Sequence, residues 1–374
     1  MKIIVLHNII SPIRNYLFEE MQLFFNKNNI QFKVIFLSAS DKNRDWKNNK
    51  LTYCHKILKN FAMRVGKKDL FTFFINPTIV KELEKENPDI IICFGWDHLS
   101  SYFANYWSRK NNKVFILWSG STEYEKSWRR MLFTPLVKYL VKHTDYFISY
   151  GTRSKHYLIR LGADHRLIHI FYNAIDNVFF TTASRKLSHE KDNIKRKLGI
   201  STKHIILFSG QLIERKGIYD LIEGFRLYSE TDSNVSLLII GSGKERKKIE
   251  NIISKNSISN VKIIGFVQYD NLPQYYSIAD MLVLPSHEEV WGLTINEAMA
   301  SGLPVITTYA TGAAPDLIIS GKNGYIIKTQ RPRSIVSAIR KIYNNKLDIS
   351  NNSLQIIQKT NIQEEIKRLW EWIV

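Results

Sequence analysis

The 374-residue sequence predicts an α/β protein with two parallel-sheet domains. Short, continuous apolar runs alternate with longer helical segments, as in parallel strands covered on both faces. The alternation is interrupted once, by a polar stretch near residues 175–200, and then resumes. At ~150 residues per domain the length suits two or three domains.

In the first half, KIIVLH (2–7), FKVIFLS (32–38), DIIICFG (89–95), KVFILWS (113–119) and DYFISYG (145–151) read as buried strands, with RLIHIFYNAI (166–175) as a further one. Residues 12–28, 78–87, 97–111 and 124–142 fit the intervening helices. TTASRKLSHEKDNIKRK (181–197) carries high charge and no strand signal. A second strand series follows: HIILFSG (204–210), SLLIIGSG (236–243), VKIIGFV (261–267), MLVLPS (281–286), PVITT (304–308) and GYIIK (324–328). The expected division is an N-terminal domain over 1–175, a linker over 176–200 and a second domain over 201–355. A C-terminal segment, 356–374, is expected to pack back toward the first domain as a helix carrying Trp370 and Trp372.

Composition narrows the function classes. At 44% hydrophobic and 23% charged residues, the chain is neither disordered nor of low complexity. No run approaches the ~18 apolar residues that span a bilayer, and the N-terminus lacks the long apolar core of a signal peptide. Two cysteines, Cys54 and Cys93, make no disulfide framework or zinc site, which suits a reducing cytoplasm. The net charge is +19, almost all of it in residues 1–200. Such asymmetry points to an anionic partner for the first half: nucleic acid, a membrane face or a phosphorylated substrate.

The chemistry centres on HEEVWGLTINEAMASGLPVI (287–306). Glu289 stands at a strand end, and Gly292 opens the helix that carries Glu297. Both belong at the C-terminal edge of a parallel sheet, where open α/β sheets bind ligands and carboxylates can accept from sugar and ribose hydroxyls. On spacing alone, the two acids read more readily as an ordinary surface glutamate and a helix-face glutamate. In FSGQLIERKGIYDLIEGF (208–225), Gly210 and Gly217 allow close backbone approach, and Arg215 and Lys216 precede a helix N-terminus, a ready phosphate site. The Gly-Ser-Gly at 241–243 is by itself only a tight turn.

Taken together, Glu289-x-Trp291-Gly292 through Glu297-Ala-Met-Ala-x-Gly302-x-Pro304-Val305 resembles the E-x7-E signature of retaining glycosyltransferases of family 4. Those enzymes have the GT-B architecture of two Rossmann-like domains facing across a cleft. The resemblance is strong from 204 to 330 and looser before it. It implies that Glu289, Arg215 and Lys216 are catalytic. It also implies that Gly210, Gln211, Gly241, Val267, Trp291, Gly292, Leu293 and Glu297 bind the donor. Gln211 replaces an arginine frequent in the family, and Asp316 stands where Glu is commoner. The first half lacks the family's glycine-rich loop and its strand-tip histidine. HNIISPIRNYLF (7–18), with Ser11, and FILWSGSTEYE (115–125), with Trp118 and Ser119, occupy those places and form the expected acceptor side. His7 and His98 read as structural. SPIRNYLFEE resembles the opening of bacterial enzymes that build surface polysaccharides.

The resemblance implies a retaining, metal-independent hexosyltransferase that uses a nucleotide-sugar donor, most simply a UDP-sugar, and no cofactor. The implied acceptor is a lipid-linked glycan, and the enzyme would work in the cytoplasm, peripherally at the inner membrane face. The basic amphipathic segment KSWRRMLFTPLVKYLVKHT (126–144) would meet the anionic membrane surface. The competing readings are a GT-B relative such as a nucleotide-sugar epimerase and a nucleic-acid-binding protein, although no nucleic-acid motif is present.

Overall fold

A computed structural model describes residues 1–39, 50–65, 71–125 and 128–374, with only the backbone described at 61–65, 71–74, 128–129 and 346–348. The chain forms two units, one of Met1–Tyr172 with Ile362–Val374 and the other of Asn173–Asn361.

The first unit runs β1 (Lys2–Ile9), α1 (Pro12–Lys27), β2 (Gln31–Ser38), β3 (His55–Ile57), β4 (Phe61–Val65), β5 (Phe71–Ile75), α2 (Ile79–Glu86), β6 (Ile90–Phe94), α3 (Leu99–Lys110), β7 (Val114–Ser119), α4 (Trp128–Lys142), β8 (Tyr146–Ser149), α5 (Thr152–Leu161) and β9 (Ile168–Ile170). Seven strands make one sheet in the order β3-β2-β1-β6-β7-β8-β9, parallel throughout, while β4 and β5 form a separate antiparallel pair. Ile3, Ile4 and Val5 of β1 are fully buried, because neighbours cover both faces of the strand. Strand order reverses between β1 and β6, the kind of switch point at which α/β sheets open a crevice.

The second unit runs α6 (Asn177–Leu187), α7 (Lys191–Lys197), β10 (His204–Ser209), α8 (Ile218–Ser229), β11 (Val235–Ile240), α9 (Arg246–Lys255), β12 (Val261–Gly265), α10 (Pro273–Ile278), β13 (Met281–Leu284), α11 (Leu293–Ala300), β14 (Val305–Thr308), α12 (Ala314–Leu317), β15 (Gly324–Ile327), α13 (Pro332–Asn344) and α14 (Lys346–Ile357). Its parallel sheet has the order β12-β11-β10-β13-β14-β15, reversing between β10 and β13. The last helix, α15 (Ile362–Ile373), belongs to the first unit. There Trp370 meets Phe25 edge-on at 5.8 Å, and Trp372 lies 5.3 Å from both Tyr146 and His169.

The stretch 176–200 differs from its reading as a linker. It forms α6 and α7, which bury Phe180 and Ile194 while their charged residues face outward. Asp176 caps α6 by accepting from the Phe179 N–H at 2.9 Å. RLIHIFYNAI supplies only the three-residue β9. Among the described residues no helix is long and apolar enough to cross a membrane.

Candidate active site

In the second unit the loops after β10, β11, β13 and β14 meet at the C-terminal edge of the sheet. The first two approach so closely that a Cβ on Gly241 would stand 1.8 Å from the Gly210 carbonyl oxygen. No other residue fits there without displacing a loop. The Gly210 and Leu212 N–H groups donate to the carbonyls of Ile240 (3.0 Å) and Ser242 (2.9 Å).

The loop after β10 is also joined to the loop after β13. Gly217, at φ +68°, lies under Pro285, whose carbonyl oxygen would be 2.0 Å from an added Cβ. The Arg215 carbonyl accepts from the His287 N–H at 2.8 Å, and the Arg215 guanidinium donates to the Glu288 carbonyl at 3.2 Å. Lys216 Nζ forms an ion pair with Glu289, and both side chains are largely shielded from water. Arg215 is exposed, so it presents its charge to solvent at this edge. Arg215, Lys216 and Glu289, far apart in sequence, thus share one site. Immediately beyond Gly217 begins the N-terminus of α8, twelve residues long.

Glu289 is further fixed by its backbone. Its N–H donates to the Ala310 carbonyl (3.2 Å), and its carbonyl accepts from the Gly312 N–H (2.9 Å). The segment 310–313 therefore holds the carboxylate-bearing loop in place. Glu297 sits elsewhere in the edge, buried in α11, where its carboxylate accepts from the Tyr276 hydroxyl at 2.6 Å. Tyr276 in turn is hydrogen-bonded with Ser209 at the end of β10. Burial pushes the Glu297 carboxyl up to about 7 against the pull of the Tyr276 hydrogen bond, so its charge changes near neutrality.

The other expected donor residues divide into surface and interior. Gln211, Val267 and Leu293 are half-buried, and Gly292, at φ +96°, caps α11. The structure encloses Trp291 in the core at 2% exposure, with its indole N–H given to Asn296 at 2.9 Å. Absent from the sequence reading was the His287–Asp220 pair, with His287 Nε2 2.6 Å from Asp220 Oδ2, which ties the start of the motif to α8. His287 opens the quoted motif, but Asp220 lies 67 positions away and nothing local signals it.

In the first unit, Ser11 precedes α1 and its carbonyl accepts from Arg14 and Asn15. Ser119 ends β7 and its hydroxyl accepts from the Ser121 N–H at 3.2 Å. Trp118 is 1% exposed and stacks on Phe94 at 4.4 Å. Both histidines at this edge are neutral at pH 7. Burial, with Arg14 beside it, takes His7 down to about 3, and burial takes His98 down to about 4. His7 Nδ1 donates to the Ile9 carbonyl at 2.9 Å, which fixes its tautomer. Among the described residues no cluster of three His, Cys, Asp or Glu side chains could hold a metal ion.

Two parallel α/β sheets, one with a carboxylate and a lysine paired beside a helix N-terminus, define an α/β protein of GT-B type. Residues 25–178 match the family described as glycosyltransferase family 4, and residues 190–361 match glycosyl transferases group 1. Between them they take in most of the chain, and it belongs to the glycosyltransferases built from these two domains. It is similar to the capsular polysaccharide biosynthesis glycosyltransferase CapM of Staphylococcus aureus, 29% identical over 39% of this chain and 38% of that one. It is also similar to the alpha-monoglucosyldiacylglycerol synthase of Acholeplasma laidlawii, 32% identical over 37% of this chain and 35% of the relative. The first such matches span only 38–39% of the relatives' own length. In fold, the chain resembles Anabaena HepE in complex with UDP, with a TM-score of 0.78 and 17% identity over 99% of both chains.

Proposed function

We propose that the protein transfers a sugar from a UDP-sugar to a hydroxyl of a lipid-linked glycan, with retention of anomeric configuration and without a metal ion. The observation that carries this reading is the Lys216–Glu289 ion pair at the sheet edge, with Arg215 exposed beside it and Glu297 buried behind. Solved structures of HepE hold UDP and UDP-glucose, which supports the choice of donor. CapM supports a role in polysaccharide synthesis.

The chemical problem is separation of charge. The bond from the anomeric carbon to the diphosphate breaks as the bond to the acceptor oxygen forms, and the acceptor proton passes to the departing phosphate on the same face. Positive charge develops on the sugar and negative charge on the diphosphate. Arg215, Lys216 and the N-terminus of α8 act on the diphosphate, an electrostatic contribution of ~3 kcal/mol per well-placed donor in other systems. Before the donor arrives, Lys216 is neutralised by Glu289. An arriving diphosphate competes for the ammonium and frees the Glu289 carboxylate for the sugar hydroxyls. Glu297 serves the ribose. The test is a panel of nucleotide sugars scored by protection against thermal unfolding, followed by turnover with a lipid-pyrophosphate acceptor in EDTA and analysis of product anomers. Inversion, or turnover restored only by magnesium or manganese, refutes the mechanism.

The acceptor's lipid suggests a place of work: the cytoplasmic face of an anionic membrane. Supporting this, α4 buries Val137, Leu140 and Val141 yet leaves Met131, Leu132, Leu136 and Tyr139 exposed. On α3, Leu99, Phe103 and Tyr106 form a second exposed stripe. The helices are neighbours, with Asn105 donating to the His143 carbonyl at 2.7 Å. Exposed Lys138, Lys142, Arg109 and Lys110 flank the stripes, a composition suited to an anionic headgroup layer. Lys126 and Ser127, and the side chains of Trp128 and Arg129, lie outside the described residues.

A further inference from the structure

Arg14 is the anomaly of the first unit. It is 9% exposed, and no carboxylate lies within ion-pair distance of it among the described residues. It stands in the first turn of α1, where the helix dipole is also positive, and beside a neutral His7. A buried, uncompensated cation is costly. Aromatic rings offset part of that cost. The guanidinium carbon lies 5.5 Å from the Phe94 ring centroid and 5.2 Å from that of Tyr150, and Nη2 donates to the Tyr150 hydroxyl at 2.7 Å. Among the described residues, that leaves the other guanidinium donors without a protein acceptor.

The surroundings are built around this arrangement. Phe94 ends β6, and Tyr150 follows β8 with its N–H given to the Ser119 carbonyl at 3.3 Å. Arg14 thus sits over the strand ends at the β1/β6 switch point. Tyr150 can reach it because residue 120 is glycine, since a Cβ there would fall 2.0 Å from the Tyr150 ring. On the same edge, Trp118, stacked on Phe94, has a buried indole N–H with no acceptor among the described residues.

We propose that Arg14, held by Tyr150 and Phe94, is the ligand of a substrate oxyanion, a phosphoryl group, bound at this edge of the first unit. A planar guanidinium with free donors matches a phosphoryl bidentately. The choice of phosphoryl rests on the glycosyltransferase reading, and the anion site itself does not. Two sources share the chemistry: the donor diphosphate and a phosphate-linked acceptor.

Binding of farnesyl diphosphate, farnesol, UDP and inorganic pyrophosphate to the full chain separates them, using wild type, Arg14→Gln, Arg14→Lys, Gly120→Ala and, as a donor-site control, Lys216→Ala. With an acceptor phosphate as source, Arg14→Gln weakens farnesyl diphosphate about 10- to 100-fold, leaves farnesol unchanged, and spares UDP, which Lys216→Ala weakens instead. With the donor as source, Arg14→Gln weakens UDP and leaves farnesyl diphosphate alone. Either result supports the site. Arg14→Lys keeps the charge without the fork and retains part of the affinity, which keeps the test open if the glutamine variant misfolds. Gly120→Ala, which displaces Tyr150, lowers affinity with Arg14 intact. Unchanged affinity for every phosphorylated ligand in folded Arg14→Gln and Arg14→Lys overturns the proposal. Arg14-dependent phosphate binding without any sugar transfer would instead leave the site standing and remove the transferase reading.

Discussion

Lys216 and Glu289 show how one contact can serve two states of a site. Both are largely out of water, so removing either partner leaves an uncompensated charge, whereas removing both does not. Lys216→Ala and Glu289→Ala should each lower the denaturation midpoint, and the double variant should be less affected than their sum, with a coupling of about 0.5–3 kcal/mol. Activity should not show this compensation: Glu289→Ala should lose turnover by orders of magnitude with or without Lys216. Purely additive stabilities would show that the pair does not form in solution. Glu297 yields a prediction of a different kind. Its carboxyl titrates near 7 when folded and near 4.5 when unfolded, so the native state holds a proton that the unfolded chain has released. The stability this provides is full below about pH 4.5 and is lost as pH rises through 7, at up to ~1.4 kcal/mol per pH unit. Glu365, also raised to about 7 by burial, gives the first unit the same trend. Glu297→Gln should flatten the pH dependence of the second unit's denaturant midpoint between pH 5 and 7 while the first unit keeps its slope. An unchanged slope in both transitions would refute the assignment. The sequence placed Arg215, Lys216, Glu289 and Glu297 on the same sheet edge by motif. It could not show which of them touch, because contact over 73 residues depends on Gly217 sitting under Pro285. The resemblance implied Trp118 on the acceptor side and Trp291 among the donor residues, and in the structure both side chains are buried.

At the scale of elements, α3 and α4 are the clearest case, among the described residues, of a face without a protein partner. Leu132→Ser with Leu136→Ser removes exposed apolar surface without touching the buried face of Val137, Leu140 and Val141, so stability should change little. Lys138→Gln with Lys142→Gln removes two exposed charges worth up to ~1 kcal/mol each near an anionic surface. Co-sedimentation with anionic vesicles at low salt should fall in both double variants and should fade in the wild type as salt screens it. Equal recovery on neutral and anionic vesicles, or no loss in either variant, would overturn the membrane reading. Arg130 is a poor choice for such a test because its guanidinium is engaged by Ser121 and Glu125. Continuous buried runs made most strands legible, as in β1 and β6. The three-residue β3 and the antiparallel pair β4 and β5 were not read: β3 is too short, and the runs FAMRV and FTFFI were passed over although Asn76-Pro77 closes the second. The helices α6 and α7 were hidden for the opposite reason, since few apolar residues mark their inner faces.

For the molecule as a whole, the chain enters the second unit after Tyr172 and returns to the first at Ile362. The first unit's core therefore includes α15, whose Glu365 accepts from the Tyr172 N–H at 3.1 Å and whose Ile366 and Leu369 are buried. Truncation after Asn361 should lower the first unit's unfolding temperature by several degrees while a UDP-stabilised transition of the second unit stays in place. Loss of both transitions together would mean the units do not unfold separately. The same connectivity sets an order in time. The second unit is one uninterrupted stretch, whereas the first is completed by a segment that lies beyond it in the chain. The first unit, made before the second, must wait for Ile362–Ile373 before Phe25, Tyr146 and His169 gain their contacts with Trp370 and Trp372. Of the two units, the one made first is therefore completed second, and part of its apolar surface waits for a partner while the other is being made.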